Sequence, residues 1–591
     1  MKQLLTKWGK DQQAEAHTEY PRPTLTRDSF LNLNGEWEFE LSEALEVDQY
    51  SRSIKVPFAP ETYLSEVKEG VLPKDYLHYR KVFSLPENFK EDRVILHFGA
   101  VDQECIVYLN GAYVGQNTGG YLAFSFDVTD EIRESDNELV VVAKDYTEQK
   151  AHARGKQKLV KKGKYGSLFY TPTSGIWKTV WLESVANHYI EGIKTTPNYD
   201  ESSIMLKVRT NQEITEKAQV EIKFKGEIVV TQEIYTNKDQ IISIENFEAW
   251  SPDQPNLYDV VVSYQDDEVA SYFGMRKLSI DRDSKGILRY YLNNEPFFYN
   301  GVLDQGYWPD GGMTPPTDEA LIFDIEQMKA LGYNTLRKHV KIESERFYYH
   351  CDRLGMMVWQ DMPNGGGPDY NMYFVTYLAN ASNWINRRVK DDKYKLFKRD
   401  DAWGRTQYYE DLTTLVNQLY NHPSIAAWVP FNEGWGQFDA NKATELIREL
   451  DPNRIVIETS GWFDQKGGDS YTIHNYQHIL SVSPQDRVVS LTEYGGYAYP
   501  IEEHSATNHK FGYQYYTSVE ELTANYTRLW EEEIYPNVEK GLSTAIYTQL
   551  SDVEEEVNGV FTYDREVCKL EGDAIRELND RLYRLFREVT Q

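Results

Sequence analysis

Asp318-Glu-Ala-Leu-Ile-Phe-Asp-Ile-Glu-Gln-Met-Lys-Ala-Leu-Gly332, followed by Asn334-Thr-Leu-Arg337, a second helical segment from Glu343 to Leu354, Gly355, and Met356-Met-Val-Trp359, is the stretch that decides the fold. Apolar residues recur at helical spacing from Asp318 to Leu331, and Gly332 is placed to end that helix in a left-handed conformation. A short apolar strand follows, then the same helix, glycine and strand again. The alternation continues toward the C-terminus with the strand-like runs Ile425-Ala-Ala-Trp-Val-Pro, Ile455-Val-Ile-Glu, Tyr471-Thr-Ile-His, Val488-Val-Ser-Leu-Thr-Glu and Ala545-Ile-Tyr-Thr-Gln. Strand–helix alternation from about residue 281 to 591 predicts a (β/α)8 TIM barrel.

Toward the N-terminus the period changes to two. Arg93-Val-Ile-Leu-His-Phe, Cys105-Ile-Val-Tyr-Leu and Glu138-Leu-Val-Val-Val-Ala read as strands, and Asn110-Gly111 as a hairpin turn. Residues 1–187 are expected to form a β-sandwich or jelly roll. Residues 188–280, with alternation in Met205-Leu-Lys-Val-Arg and Ala218-Gln-Val-Glu-Ile-Lys-Phe, fit an immunoglobulin-like β-sandwich.

The 591 residues carry 93 acids against 63 bases, a formal net charge of −30. Phosphate backbones and anionic membranes need a basic face, so nucleic acid and membrane are excluded as expected partners. Cys105, Cys351 and Cys568 are odd in number, far apart and without a CxxC, which argues against a disulfide framework or zinc site. The opening residues lack the apolar run of a signal peptide, and no run of about twenty apolar residues occurs, so a cytoplasmic location is expected. Of the 44 Tyr and 13 Trp, most are expected to fill β-rich cores, and a few to stack on sugar rings.

Two carboxylates stand out. Asn421-His-Pro-Ser-Ile-Ala-Ala-Trp-Val-Pro-Phe-Asn-Glu433 is an apolar strand ending in Asn432-Glu433, and barrel active sites lie at C-terminal strand ends. A carboxyl there is partly desolvated, which raises its pKa and suits a general acid. On spacing alone, a capping pair that opens the next helix explains Asn432-Glu433 equally well. Val488-Val-Ser-Leu-Thr-Glu493-Tyr-Gly-Gly places a second carboxylate past an apolar run, with glycines that let the chain turn away. A retaining glycosidase needs two carboxyls about 5–5.5 Å apart.

The chain resembles glycoside hydrolase family 2, the family of β-galactosidases, β-glucuronidases and β-mannosidases. Tyr108-Leu-Asn-Gly-Ala-Tyr-Val-Gly, Gly119-Gly-Tyr-Leu-Ala-Phe-Ser-Phe-Asp-Val-Thr and Thr173-Ser-Gly-Ile-Trp-Lys-Thr-Val-Trp-Leu-Glu are similar to its jelly roll. Trp250-Ser-Pro, Pro255-Asn-Leu-Tyr and Phe273-Gly-Met-Arg are similar to the end of its immunoglobulin-like domain. Asn421-His-Pro-Ser-Ile with Asn432-Glu433, and Thr492-Glu493-Tyr-Gly-Gly, resemble its two catalytic motifs. The resemblance implies Glu433 as acid/base, Glu493 as nucleophile and Asn432 as ligand of the sugar 2-hydroxyl. It further implies Arg337 as support for the nucleophile, and Tyr476, with His474, as its contact. It implies a glycoside or oligosaccharide substrate and no metal or organic cofactor, and leaves a homo-oligomer open.

The sugar-reading positions depart from the family pattern. Lys338-His-Val-Lys341 follows Arg337 where a histidine, an aromatic and a proline are usual. Asn300-Gly-Val-Leu-Asp-Gln-Gly-Tyr-Trp-Pro, expected after the first strand, lacks a histidine-rich stretch. Tyr547-Thr-Gln-Leu-Ser-Asp lacks a tryptophan, and Asn508-His-Lys510 lies after the wrong strand to read a uronate carboxylate. If Arg337 points inward, Cβ alternation sends His339 and Lys341 inward and Lys338 toward the helices. Lys341 is then the candidate uronate reader, against the stronger expectation of a loop lysine paired with Glu343 or Glu345. The expected substrate is a terminal β-galactoside, with β-glucuronide, β-galactofuranoside and β-mannoside as alternatives. From other classes come a carbohydrate-binding protein without activity and a metal-dependent barrel hydrolase; only His339 and His474 stand near strand ends for the latter.

Overall fold

A computed structural model describes residues 2–11, 17–159, 168–370, 373–378, 386 and 388–591. The first module is an antiparallel sandwich of a four-stranded and a six-stranded sheet. Its hairpin at Asn110-Gly111 has φ of 54° and 81°, the left-handed pair that a two-residue turn between right-twisted strands requires. Leu96, Val107, Val141 and Leu182 alternate inward to form its core. The second module packs a three-stranded sheet (Ile190–Asn198, Ser203–Thr210, Asp239–Ser243) on a four-stranded one (Lys217–Phe224, Glu227–Tyr235, Tyr258–Tyr264, Asp267–Phe273). Ile204, Leu206 and Val208 of one sheet meet Val220, Ile222, Val260 and Val262 of the other, as period-two patterning dictates.

Eight parallel strands follow: β1 Tyr299–Asp304, β2 Thr335–Lys338, β3 Met357–Asp361, β4 Ile425–Val429, β5 Ile455–Val456, β6 Ser470–Asn475, β7 Val488–Gly495 and β8 Leu542–Thr548. They pair in the order β5-β4-β3-β2-β1-β8-β7-β6, so the sheet curls until β5 faces β6. Side chains bridge that seam: Gly461 N donates to Thr472 Oγ1 (3.1 Å), which donates to Thr459 O (2.9 Å). This is the barrel the alternation predicts. Asn300-Gly-Val-Leu-Asp, expected beyond the first strand, is the first strand itself. A strand buried on both faces has no alternation to mark its limits.

Helices α1 (Asp318–Ala330) and α2 (Glu345–Leu354) cover the outside near β2. Gly355 ends α2 with φ 76°, and a Cβ there would lie 2.2 Å from Pro252 O, so that position demands glycine twice over. Among the described residues no helix is long and apolar enough to cross a membrane.

The first module sits on the barrel mouth. Arg154 N and Gly155 N donate to Asn364 O (2.8 and 3.0 Å), just past β3, and Thr314 Oγ1 donates to Trp177 O (2.7 Å). An arm from residue 153 to 158 is thereby carried over the C-terminal strand ends.

Candidate active site

Arg337, at the end of β2, is fully buried and points into the barrel. Buried guanidinium needs acceptors on every edge, and it finds them on three strands. Nε and Nη2 grip Asp361 of β3 as a fork (3.1 and 2.8 Å), Nη1 donates to Glu493 Oε1 of β7 (3.0 Å), and Nη2 also donates to Asn432 Oδ1 (2.8 Å). Arg337 therefore faces inward, which is the condition on which alternation sends His339 inward and Lys338 toward the helices. His339 lies on the same side, its Nδ1 3.1 Å from Asp361 Oδ2.

Lys338 faces the helices, as alternation also requires: Nζ donates to Asp304 (2.6 Å) and Glu343 (3.2 Å) and lies 4.0 Å from the Phe347 ring centroid. Lys341 does not continue the inward row. β2 ends at Lys338, and Val340 takes φ 42°, which turns the chain out of strand geometry. Lys341 Nζ is buried against Gly306 O, Met313 O (2.7 Å) and Glu343 Oε1. The pairing with Glu343 leaves it no donor for a sugar carboxylate. Asn508 is exposed on the loop after β7.

Glu493 receives a second hydrogen bond from Tyr476 Oη (2.6 Å to Oε2), and His474 Nδ1 is 3.4 Å from the same oxygen. Burial alone pushes its carboxyl up, but the His474 and Arg337 nitrogens and the Tyr476 bond outweigh burial and hold it down at about 2. Gly495 and Gly496, with φ of 81° and 68°, turn the chain away behind it; a Cβ on Gly495 would lie 2.3 Å from Tyr547.

Glu433 has the opposite surroundings. Its backbone is left-handed, φ 51°, a conformation that costs a non-glycine residue about 1–2 kcal/mol. The strain is held by Glu433 N donating to Ser460 O (2.9 Å) and Trp462 Nε1 donating to Glu433 O (3.1 Å). Among the described residues the side chain meets a single hydrogen-bond partner, His474 Nδ1, 2.8 Å from Oε1. Burial first, and the charge of Glu493 second, raise its carboxyl above the ordinary range. His474 is fixed in turn by Nε2, 2.8 Å from Ser460 Oγ.

All six residues named from the sequence thus converge: Glu433, Glu493, Asn432, Arg337, His474 and Tyr476 form one connected network. Carboxylate oxygens of the two glutamates and a His474 nitrogen lie within 4.8 Å of one another, close enough for a cation too; His504, Asp564 and Glu566 form a second such group, half-exposed. Asn432 Nδ2 is buried and has no partner among the described residues, a free donor beside the two glutamates. Sequence reasoning passed over Asp361, whose signal was an acid at the C-terminal end of β3. It also missed Tyr513, stacked on Tyr476 with centroids 4.0 Å apart, which no motif marks.

The chain matches three family models in succession: glycosyl hydrolase 2 galactose-binding domain-like over residues 54–178, glycosyl hydrolases family 2 over 188–276, and the family 2 TIM barrel domain over 287–488. It is 25% identical to a β-galactosidase of Thermoanaerobacter pseudethanolicus over 508 residues, covering 81% of this chain and 62% of the relative. It is 26% identical to a β-galactosidase of Thermoanaerobacterium thermosulfurigenes over 525 residues, covering 80% and 65%. The chain therefore spans under two thirds of the length of these relatives. Its fold superposes on a β-glucuronidase of an uncultured Clostridium sp. with TM-score 0.73 at 18% identity, over 95% of this chain and 100% of that one. With all three of its modules matched in order, the chain belongs to glycoside hydrolase family 2.

Proposed function

We propose that this chain is a retaining exo-glycosidase. The observation that carries the reading is the pair of glutamates at the ends of β4 and β7, with carboxylate oxygens within 4.8 Å and oppositely shifted pKa values. That spacing is nearer the retaining geometry of about 5–5.5 Å than the roughly 6.5–9.5 Å of inverting enzymes. Glu433, protonated, gives its proton to the departing glycosidic oxygen while Glu493, ionised, attacks the anomeric carbon. Glu433 then takes a proton from water, which attacks the glycosyl-enzyme ester and regenerates Glu493. Arg337 and Tyr476 hold Glu493 in line, and Asn432 Nδ2 donates to the sugar 2-hydroxyl. In this reading residues 1–187 and 188–280 are supporting modules and 281–591 the catalytic one.

The substrate proposed is a neutral terminal β-hexoside, with a β-galactoside first. The two curated relatives named above are β-galactosidases, and Lys341, the candidate reader of a uronate, is committed to Glu343 and two carbonyls. Hydrolysis of 4-nitrophenyl β-galactoside, β-glucuronide, β-mannoside, β-galactofuranoside and α-arabinopyranoside under one condition tests it. Release of the sugar with retained anomeric configuration is expected. Inversion would rule out Glu493 as a nucleophile, and a strong preference for the uronide would overturn the choice of sugar.

A further inference from the structure

Five lysines are buried among the described residues: Lys156, Lys178, Lys338, Lys341 and Lys569. An ammonium removed from water needs acceptors for its three donors. Four of the five find two or three. Lys178 Nζ donates to Tyr121 O and Glu343 O, Lys338 to Asp304 and Glu343, Lys341 to Glu343 and two carbonyls, and Lys569 to Asp552, Tyr499 O and Val557 O. The ammonium of Lys156, a residue 5% exposed, makes no hydrogen bond among the described residues; it is ion-paired at 3.7 Å with Glu556 Oε2.

The arm that carries Lys156 is not loose. Tyr170 N donates to Lys156 O (2.9 Å), Lys158 N to Tyr170 O (3.1 Å), and Gln157 Nε2 to Asp102 Oδ2 (2.8 Å). Tyr170 Oη donates to Glu556. Lys156 Nζ lies 5.3 Å from the Tyr170 ring centroid and 6.0 Å from that of Trp435, two residues past Glu433. Gly155, the residue before it, packs so closely on Val340, next to His339, that a Cβ there would lie 2.5 Å from Val340 O, so the arm holds this ammonium by the pocket of the two glutamates. Trp435 Nε1 and Asn432 Nδ2 are buried donors there without partners among the described residues.

We propose that Lys156 and Glu556 are specificity-determining residues that clamp one hydroxyl of the bound sugar, Nζ donating to the hydroxyl oxygen and the hydroxyl donating to Glu556 Oε2. The inference rests on the glycosidase reading above and deepens it by naming what the first module contributes to the sugar site. A hydroxyl both donates and accepts, so one group satisfies the ammonium and the carboxylate across a 3.7 Å gap. A sugar carboxylate would satisfy only Lys156 and would face Glu556 and Glu493 with a third negative charge.

The test compares the full-length protein with its Lys156→Met variant, which keeps an apolar stem against Tyr170 and Trp435. Both are assayed on the best-cleaved 4-nitrophenyl β-hexoside, its monodeoxy analogues and the matching uronide. On the parent glycoside kcat/KM should fall about 10- to 100-fold, the size of a hydrogen bond to a charged group. On one deoxy analogue, the one lacking the clamped hydroxyl, the variant should lose almost nothing relative to wild type. Equal losses on every analogue would overturn the proposal, as would a wild-type preference for the uronide that disappears in the variant. If wild type cleaves no nitrophenyl glycoside, the glycosidase reading fails by itself. Binding of the free hexose, followed by tryptophan fluorescence, then still tests the clamp: weaker binding by the variant supports it, and equal binding sinks it.

Discussion

The ends of β4 and β7 present the same residue type to one cavity and treat it in opposite ways. At the end of β7, Glu493 is surrounded by donors: Arg337, Tyr476 and His474 aim nitrogen or oxygen atoms at its two oxygens. At the end of β4, Glu433 has one side-chain partner among the described residues, and its backbone is the strained one. Glu493 is the more deeply buried of the two, which alone would push its carboxyl higher, so burial does not account for the difference; the count of donors does. The rule this teaches is that two carboxyls in one pocket divide into base and acid according to which of them the cations reach.

The largest effect should come from emptying the β7 side. Glu493→Ala should leave a folded protein whose kcat falls by about 10⁴-fold or more, as loss of a covalent nucleophile does elsewhere. Added azide should restore turnover by filling the space and yield a glycosyl azide of inverted configuration. Undiminished kcat would remove Glu493 from the mechanism. On the β4 side, Glu433→Ala should cost about 10²–10⁴-fold on substrates with poor leaving groups and much less on activated aryl glycosides, which need no proton. Equal losses on both would show that Glu433 only holds the site together. Arg337→Met cuts the link between the two ends. It should lower kcat by about 10²-fold and, by leaving Asp361 and Glu493 buried without their cation, destabilise the protein by about 3–5 kcal/mol. Thermal unfolding separates the two effects, and an unchanged Tm would mean that Arg337 does not bear the burial of these acids.

The strand ends were legible in the sequence because barrel strands are short apolar runs that stop where the chemistry starts. Glu433, Glu493, Asn432 and Arg337 each sit at such a stop. Asp361 sits at one too, but its use as a fork for Arg337 depends on β2 and β3 being neighbours, which a linear reading does not give. With Arg337 inward, alternation gave the sides of Lys338 and His339 that the structure has and failed at Lys341, because the rule holds only while the backbone is extended and Val340 is not. Lys156 had no legible signal at all. It lies far upstream of the barrel, outside every motif quoted from the sequence, and only the docking of the first module brings it to the mouth.

The smallest effect expected is the most discriminating. Tyr476→Phe removes one hydrogen bond from Glu493 and leaves Arg337, His474 and the ring stack on Tyr513 in place. A hydrogen bond to a charged group is worth about 1.5 kcal/mol at the low end of its range, so kcat/KM should fall about tenfold. The pH profile carries the sharper information. The proposed mechanism requires Glu493 ionised and Glu433 protonated, so activity should rise with pH as Glu493 loses its proton, near 2 in the intact site, and fall on the alkaline side as Glu433 loses its own. Losing the Tyr476 donor removes stabilisation from the charged form of Glu493 only. The acidic limb should therefore move to higher pH in the variant, while the alkaline limb, set by burial of Glu433 and its bond to His474, stays in place or moves up slightly less. The alkaline limb moving further than the acidic one would mean that Tyr476 acts on Glu433, and the contrast between the two strand ends would fail at the hydroxyl that most simply accounts for it.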